Sequence, residues 1–198
     1  GRFRTALAPE SLEPVTLGAI CCTKFGHSFA TVERAAQNQN LDAFLMLGDI
    51  SYNDGAVTID EFRNAWARTV GSSEYRSLRA STSTVSVWDD HEIRNNWDAD
   101  SVDANLYDSA KRAFLNHQPQ RSIGAENRRF WRKLSWGKTV DVFVLDARSE
   151  RNRSRHEYLS AEQAQWLISG VAESQATFKL ILNSVPIGTF DAPLFQPF

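Results

Sequence analysis

Residues 43–54 read AFLMLGDISYND, an unbroken apolar run from Ala43 to Leu47 that stops at Gly48, Asp49 and, three residues on, Tyr52. A run apolar on both faces suits a parallel strand covered by helices. Gly48 permits a tight exit, and in open α/β sheets ligands gather beyond the carboxyl ends of the strands. Asp49 then stands where a ligand or metal can reach it. A plainer structure fits the same string, with Asp49 capping a turn and Tyr52 packed on it. The rest of the chain bears on the choice because it repeats the pattern.

Upstream, residues 1–14 hold Pro9 and Pro14 and read as an irregular lead-in, followed by a strand over 15–21 that ends at Cys22. A loop over 23–27 leads to Ser28 as N-cap of a helix with Phe29, Val32 and Ala36 on one stripe. Strand, helix and strand within about thirty residues make a βαβ unit. Downstream, the Asp54-Gly55 turn precedes a capping box, Thr58 with Glu61, that opens a helix through Phe62, Trp66 and Val70. A short helix over 73–79 comes next. A third strand, 84–88, ends in Asp89, Asp90, His91 and Glu92, and a helix over 102–117 carries Leu106, Ala110, Ala113 and Phe114 inward. Segments 130–136 and 139–145 predict an antiparallel hairpin about a two-residue Gly137-Lys138 loop, the second strand ending in Asp146. Ser160 and Gln163 form another capping box, for a helix burying Ala164, Leu167, Ile168 and Val171, and a last strand over 178–182 ends at Asn183.

The 198 residues, 42% hydrophobic and 23% charged with 12 Phe and 6 Trp, are enough to bury a sizeable core within one domain. A net charge of -2 argues against a broad nucleic-acid surface. Against that background Arg148, Arg151, Arg153 and Arg155 fall within eight residues, a local cluster as suited to a phosphate as to solvent. No apolar run is long enough for a transmembrane helix, and the N-terminus does not read as a signal peptide. The two cysteines, Cys21 and Cys22, are adjacent and cannot staple distant parts of the fold. Either one is a thiol ligand at a strand end or a small buried residue.

Five apolar strands thus terminate in Cys22, Asp49, Asp90-His91, Asp146 and Asn183. A common sheet direction gathers a thiol, three carboxylates, an imidazole and an amide at one edge, and carboxylates converging in a cleft repel one another unless cations lie between them. Phenolate and thiolate suit a transition metal such as ferric iron, whereas carboxylate and amide oxygens suit calcium, magnesium or manganese.

GDISY at 48–52, WDDHEIRNN at 88–96, LDARSER at 145–151 and LSAEQAQWL with FKLILNSVP beyond it resemble the alkaline phosphatase D family of metallophosphoesterases over nearly the whole chain. The resemblance implies an α/β fold, a metallophosphoesterase-like sandwich of two mixed sheets flanked by helices. It also implies an exported enzyme that hydrolyses phosphate monoesters or diesters by a metal-bound hydroxide, using Fe3+ and Ca2+. Residue by residue, it implies Cys22 and Tyr52 on iron, Asp49 bridging iron and calcium, Asp90 on the second metal and Asn183 on calcium, with Ser184 as the neighbouring alternative. His91 would contact the phosphate or protonate the leaving oxygen, Arg148 would clamp the phosphate, and Asn95 or Asn96 would orient the site.

The chain departs from that family in two places. Its first strand ends in Cys-Cys where the family usually has Ser-Cys, so either Cys21 or Cys22 is the ligand, and a later GDxH-type segment is absent. The expectation is a piece cut at both ends: residues 1–14 a linker from an N-terminal domain, 15–198 a partial catalytic domain incomplete at its C-terminus, with Phe190, Leu194, Phe195 and Phe198 left as exposed apolar surface. Two other readings stand beside it. GDxxY also occurs in purple acid phosphatases, and a non-catalytic phosphate- or metal-binding module would keep much of the same residue set.

Overall fold

The structure, a computed structural model, describes residues 4–118, 120 and 129–186. Strand β2 (Ala43–Leu47) lies at the centre of a parallel three-stranded sheet between β1 (Leu17–Ile20) and β3 (Thr84–Val87). Both of its faces are covered, as an apolar run without alternation requires. Phe44 and Met46 point into a core shared with helices α1 (Ala30–Gln37), α2 (Ile59–Val70), α3 (Ser73–Ser81) and α4 (Ala104–His117). Ala43 and Leu45 point the other way, into a core shared with a second sheet. Trp66, Trp88 and Phe114 are almost wholly buried in the first core, and each such side chain contributes about 2–3 kcal/mol of transfer free energy.

The second sheet is mixed. β4 (Arg132–Trp136) pairs antiparallel with β5 (Val140–Val144), which pairs parallel with β6 (Phe178–Leu182). Val140, Val142 and Val144 alternate toward the first sheet, while Phe143 faces helix α5 (Ala161–Glu173), where its ring meets Trp166. The order of layers is therefore helices, sheet, sheet, helix, the two-sheet sandwich expected. The lead-in is laid across both sheets: Arg4 pairs with Asp42 at 2.9 Å, and the carbonyl of Ser11 accepts the amide of Lys138.

Local details differ from expectation at four points. The first helix begins one residue late, with Phe29 at the N-cap; Ser28 instead accepts the amide of Ala30. The hairpin loop has three residues, because Trp136 pairs with Val140 and Gly137 takes a positive φ of 57°. Helix α2 carries its full capping box, but at α5 only the Ser160 half forms, since the Gln163 side chain turns inward to the backbone of Asp146. The α5 stripe is also less buried than its spacing predicts: Ile168 is 65% exposed, and the helix meets the sheet through Trp166 and Gly170. Edge strand β6 shows Phe178 and Ile181 to solvent. The apolar residues from Phe190 to Phe198 lie outside the described residues.

Candidate metal centre

The turn after β2 is shaped by sterics before chemistry. Gly48 has φ 95° and Asp49 φ 54°, both in the left-handed region. A Cβ on Gly48 would sit 2.5 Å from the Cβ of Asp89, so the turns after β2 and β3 approach as only glycine allows. The Asp49 carboxylate is thereby set against the Asp90-His91 turn, where the His91 amide donates to both Asp49 Oδ1 (3.3 Å) and Asp90 Oδ1 (3.0 Å). One ligand atom each from Asp49, Asp90 and His91 lies within 4.8 Å of the others.

Cys22 and Tyr52 border this trio. Cys22, at φ 58°, places Sγ 3.7 Å from Asp49 Oδ2, and the Tyr52 ring stacks on the His91 imidazole with centroids 4.0 Å apart. Asn96, also at positive φ, donates its amide to Asp90 Oδ2 at 2.6 Å. Both thiols are exposed, and Cys22 is the one whose Sγ lies against the Asp49 carboxylate.

Electrostatics mark the same spot. Burial, then the neighbouring Asp89 and Asp90 carboxylates, push Asp49 up to about 6. Burial chiefly, with Cys21 and Asp49 beside it, pushes the Cys22 thiol up to about 12, and burial plus Asp49 raises the Tyr52 phenol. Without a counter-ion the thiol and the phenol hold their protons at neutral pH. Such a donor set, a thiol, a phenol, two carboxylates and an imidazole side by side, fits a bound cation, which would reverse the rises at Asp49, Cys22 and Tyr52.

Arg148 reaches the site but is turned inward. Its Nε donates to Asp89 Oδ1 at 2.6 Å, one terminal nitrogen donates to the carbonyl of Trp97, and the other lies 3.7 Å from Asp90 Oδ2. Only 7% of the side chain is exposed. The guanidinium is held as a counter-charge to the Asp pair rather than as a free clamp. Asn183 has a partner in its own loop region, its Oδ1 accepting the Tyr158 hydroxyl at 2.8 Å, while Ser184 is the residue of that loop beside Gly48. Asp146 does not join the carboxylates either. It is buried and accepts Trp88 Nε1 (3.0 Å) and the amides of Arg148 and Ser149, tying the two sheets together.

Two residues escaped the sequence reading. Glu92 is 1% exposed, and its carboxylate accepts the amides of Asp49 (3.1 Å), Ile50 (2.7 Å), Ser51 (3.4 Å) and Asp89 (2.8 Å). It is the knot between the two turns. Asp54, read as a turn residue, pairs with His91 Nδ1 at 2.7 Å and accepts the Asn95 amide, which leaves the far nitrogen of the ring for a ligand. The available signal for Glu92 was a carboxylate directly before an apolar residue, Ile93, in an otherwise polar run.

Comparison with known proteins adds the family and the fold. The PhoD-like phosphatase family profile matches residues 17–197. Alkaline phosphatase D of Bacillus subtilis (strain 168) is 24% identical, over 99% of this chain and 42% of its own length. Among solved structures, PhoD superposes with a TM-score of 0.80 at 21% identity, over 89% of this chain and 43% of that one. A purple acid phosphatase, PPD1 from yellow lupin (Lupinus luteus) seeds, gives 0.61 at 12% identity, over 90% and 32%. The chain thus spans well under half the length of the relatives it matches.

Proposed function

Because the chain belongs to the PhoD-like phosphatase family, we propose that it carries the catalytic centre of a metal-dependent phosphoric ester hydrolase. The observation that supports this most is the convergence of Asp49, Asp90 and His91 on one point, bordered by Cys22 and Tyr52. The purple-acid-phosphatase-like reading shares the fold, but the family match lies with the PhoD-like proteins.

Cys22, Tyr52 and Asp49 are the residues that would hold an iron, with Asp49 and Asp90 holding a second, harder cation. Asn183 or Ser184 would approach the second cation from the loop after β6. When bound, cations of this kind supply Lewis acidity toward water and toward the phosphoryl oxygens. The chain's own residues do the rest. Asp54 fixes the His91 ring through Nδ1, so its far nitrogen is directed to the ester, where it holds a phosphoryl oxygen or passes a proton to the leaving oxygen. Arg148, locked on Asp89, offsets the negative charge of the Asp pair, and the Asn96 amide and then Arg148 favour the ionised form of Asp90. Action outside the cytoplasm, as the family likeness implies, belongs to the same reading, and no helix among the described residues is long and apolar enough to cross a membrane.

The test is to reconstitute the purified chain with iron and calcium, separately and together, then measure bound metal and the hydrolysis of a chromogenic phosphomonoester and phosphodiester. Metal bound in proportion to protein, and lost in Asp49→Asn, is the expected result. Turnover identical in wild type and Asp49→Asn would remove the hydrolase reading; metal retention with no turnover would support a binding module.

A further inference from the structure

The loop after β1 puts two thiols in one place. Along a strand neighbouring side chains point to opposite faces, but Cys22 takes a left-handed φ of 58° just past β1, and that turn ends the alternation. Cys21 and Cys22, both exposed, line one cavity of about 290 Å³, with Lys24 and His27 on its wall. Asp49, Asp90 and His91 do not line it. The loop is held by its neighbour: the amides of Cys22 and Thr23 donate to the carbonyls of Gly48 (3.2 Å) and Asp49 (2.8 Å), and the Thr23 hydroxyl donates to that of Ile50 (3.1 Å). These bonds fix the backbone of the pair without help from a ligand.

What two adjacent thiols can take is limited by geometry. A disulfide usually spans Cα atoms about 4.4–6.8 Å apart, and consecutive Cα atoms are only about 3.8 Å apart, so a direct bond between them is strained. A zinc-like site needs four ligands, and among the described residues no cluster of three or more ligating side chains includes either cysteine. A single soft centre bridging the two sulfurs meets neither objection. The side chains lie within interaction range: after burial, the Cys22 thiol responds most to Cys21, through a side-chain hydrogen bond and then charge. Soft sulfur donors prefer soft, thiophilic centres, and trivalent arsenic accepts two thiols while keeping its third position for oxygen.

We propose that Cys21 and Cys22 form a binding site for a thiophilic trivalent oxyacid, of which arsenous acid is the type. Each thiol passes its proton to an As–OH oxygen, an As–S bond replaces each of those As–O bonds, and two waters leave. Arsenic stays trivalent, so the step needs no oxidant or reductant. The hydroxyl that remains on arsenic has Lys24 and His27 in the same cavity as donors. A second consequence rests on the metal-centre reading above. Cys22 Sγ lies 3.7 Å from Asp49 Oδ2, and a sulfur bonded to arsenic is not free to hold iron. Arsenic and iron then compete for one atom, and each lowers the affinity for the other.

The test is to titrate phenylarsine oxide, whose arsenic has two exchangeable positions, into the full chain kept reduced by a phosphine and in chelator, following intact mass and free thiols. Wild type is expected to take one arsenical and lose both thiols together. Closing the second As–S bond within one loop adds about 10²–10⁴ in affinity, so Cys21→Ser and Cys22→Ser should each bind about a hundredfold or more weakly. Circular dichroism melts check that both variants are folded. Independent reaction of the two thiols, wild-type affinity in Cys21→Ser, or loss of both thiols with no arsenic in the mass overturns the site. A second titration, of iron into protein freed of chelator and carrying the arsenical, separates the two readings. Wild type is expected to bind less iron than the unmodified protein, whereas Cys21→Ser at the same arsenical concentration binds it normally. Iron binding unchanged by a bound arsenical would leave the dithiol site standing and count against Cys22 as an iron ligand alone.

Discussion

Glu92 holds Asp49 by its backbone: the carboxylate oxygen that accepts the Asp49 amide at 3.1 Å also accepts that of Asp89 at 2.8 Å. One buried side chain therefore fixes the turns after β2 and β3 against each other. Substitution Glu92→Gln puts an amide N–H₂ where amide donors already point, which costs about 1–3 kcal/mol for the groups left unpaired. Urea unfolding in chelator is expected to show that loss. Metal titration is expected to show weakened binding even though no ligand has changed, in the range of the ~10–100-fold seen for outer-shell changes.

Asp49→Asn is expected to act in opposite directions on stability and on metal. It removes a crowded charge from beside Asp89 and Asp90, so the metal-free variant should melt at a higher temperature than wild type at mildly alkaline pH. Its metal affinity should fall by more than the ~10–100-fold of an outer-shell change. A melting temperature below that of wild type in chelator would show that Asp49 is stabilised, not strained, by its neighbours.

The pH dependence follows from the same charges. Asp49 is raised to about 6 and Glu92, by burial first and Asp49 second, to about 8. Groups with raised native values bind more protons folded than unfolded, so the stability they contribute is full below their unfolded values and is lost as pH rises through the folded ones. The chelated protein should thus become less stable between about pH 4 and pH 8. Thermal melts across that range, repeated with metal, are expected to show the slope flatten when cations are present.

Gly48→Ala combines a left-handed backbone with a Cβ 2.5 Å from that of Asp89. Left-handed strain costs about 1–2 kcal/mol and overpacking about 1–3 kcal/mol, so a loss of about 2–5 kcal/mol is expected in chemical denaturation. Gly55→Ala, at φ 87° with open space around it, is the control and should lose only the backbone part.

Tyr52→Phe keeps the ring stacked on His91 and removes the hydroxyl. If the phenol is a ligand, iron-loaded wild type should show visible absorption that the variant lacks, with protein stability in chelator unchanged. Equal spectra would place the hydroxyl outside the metal's reach.

Much of this was readable from strand ends. The run from Ala43 to Leu47, the glycine after it and the Asp90-His91 turn follow from two rules, burial on both faces and polar groups at carboxyl ends, and the structure joins them as those rules require. Asp146 obeyed the same rules and went elsewhere, because the second sheet delivers it to Trp88 rather than to the edge where Asp49 lies. The half-formed capping box of α5 has a similar cause. Gln163 matched the capping-box spacing, but a buried turn at Asp146 offered its amide more hydrogen bonds than its own helix end did. Glu92 and Asp54 were not legible because their roles rest on amides and a ring brought from another segment, a pairing that no local pattern encodes.

The division between the sheets also sets an order of assembly. Cys22, Asp49, Tyr52, Asp90 and His91 all belong to the turns of the β1-β2-β3 sheet, whereas Arg148 reaches Asp89 and Asp90 only once the β4-β5-β6 sheet has docked. On a chain made from its N-terminus, the acidic cluster exists before the arginine that offsets it. A cation captured at that stage would be the cluster's earliest counter-charge, and refolding with and without metal is then expected to differ in the yield of folded protein.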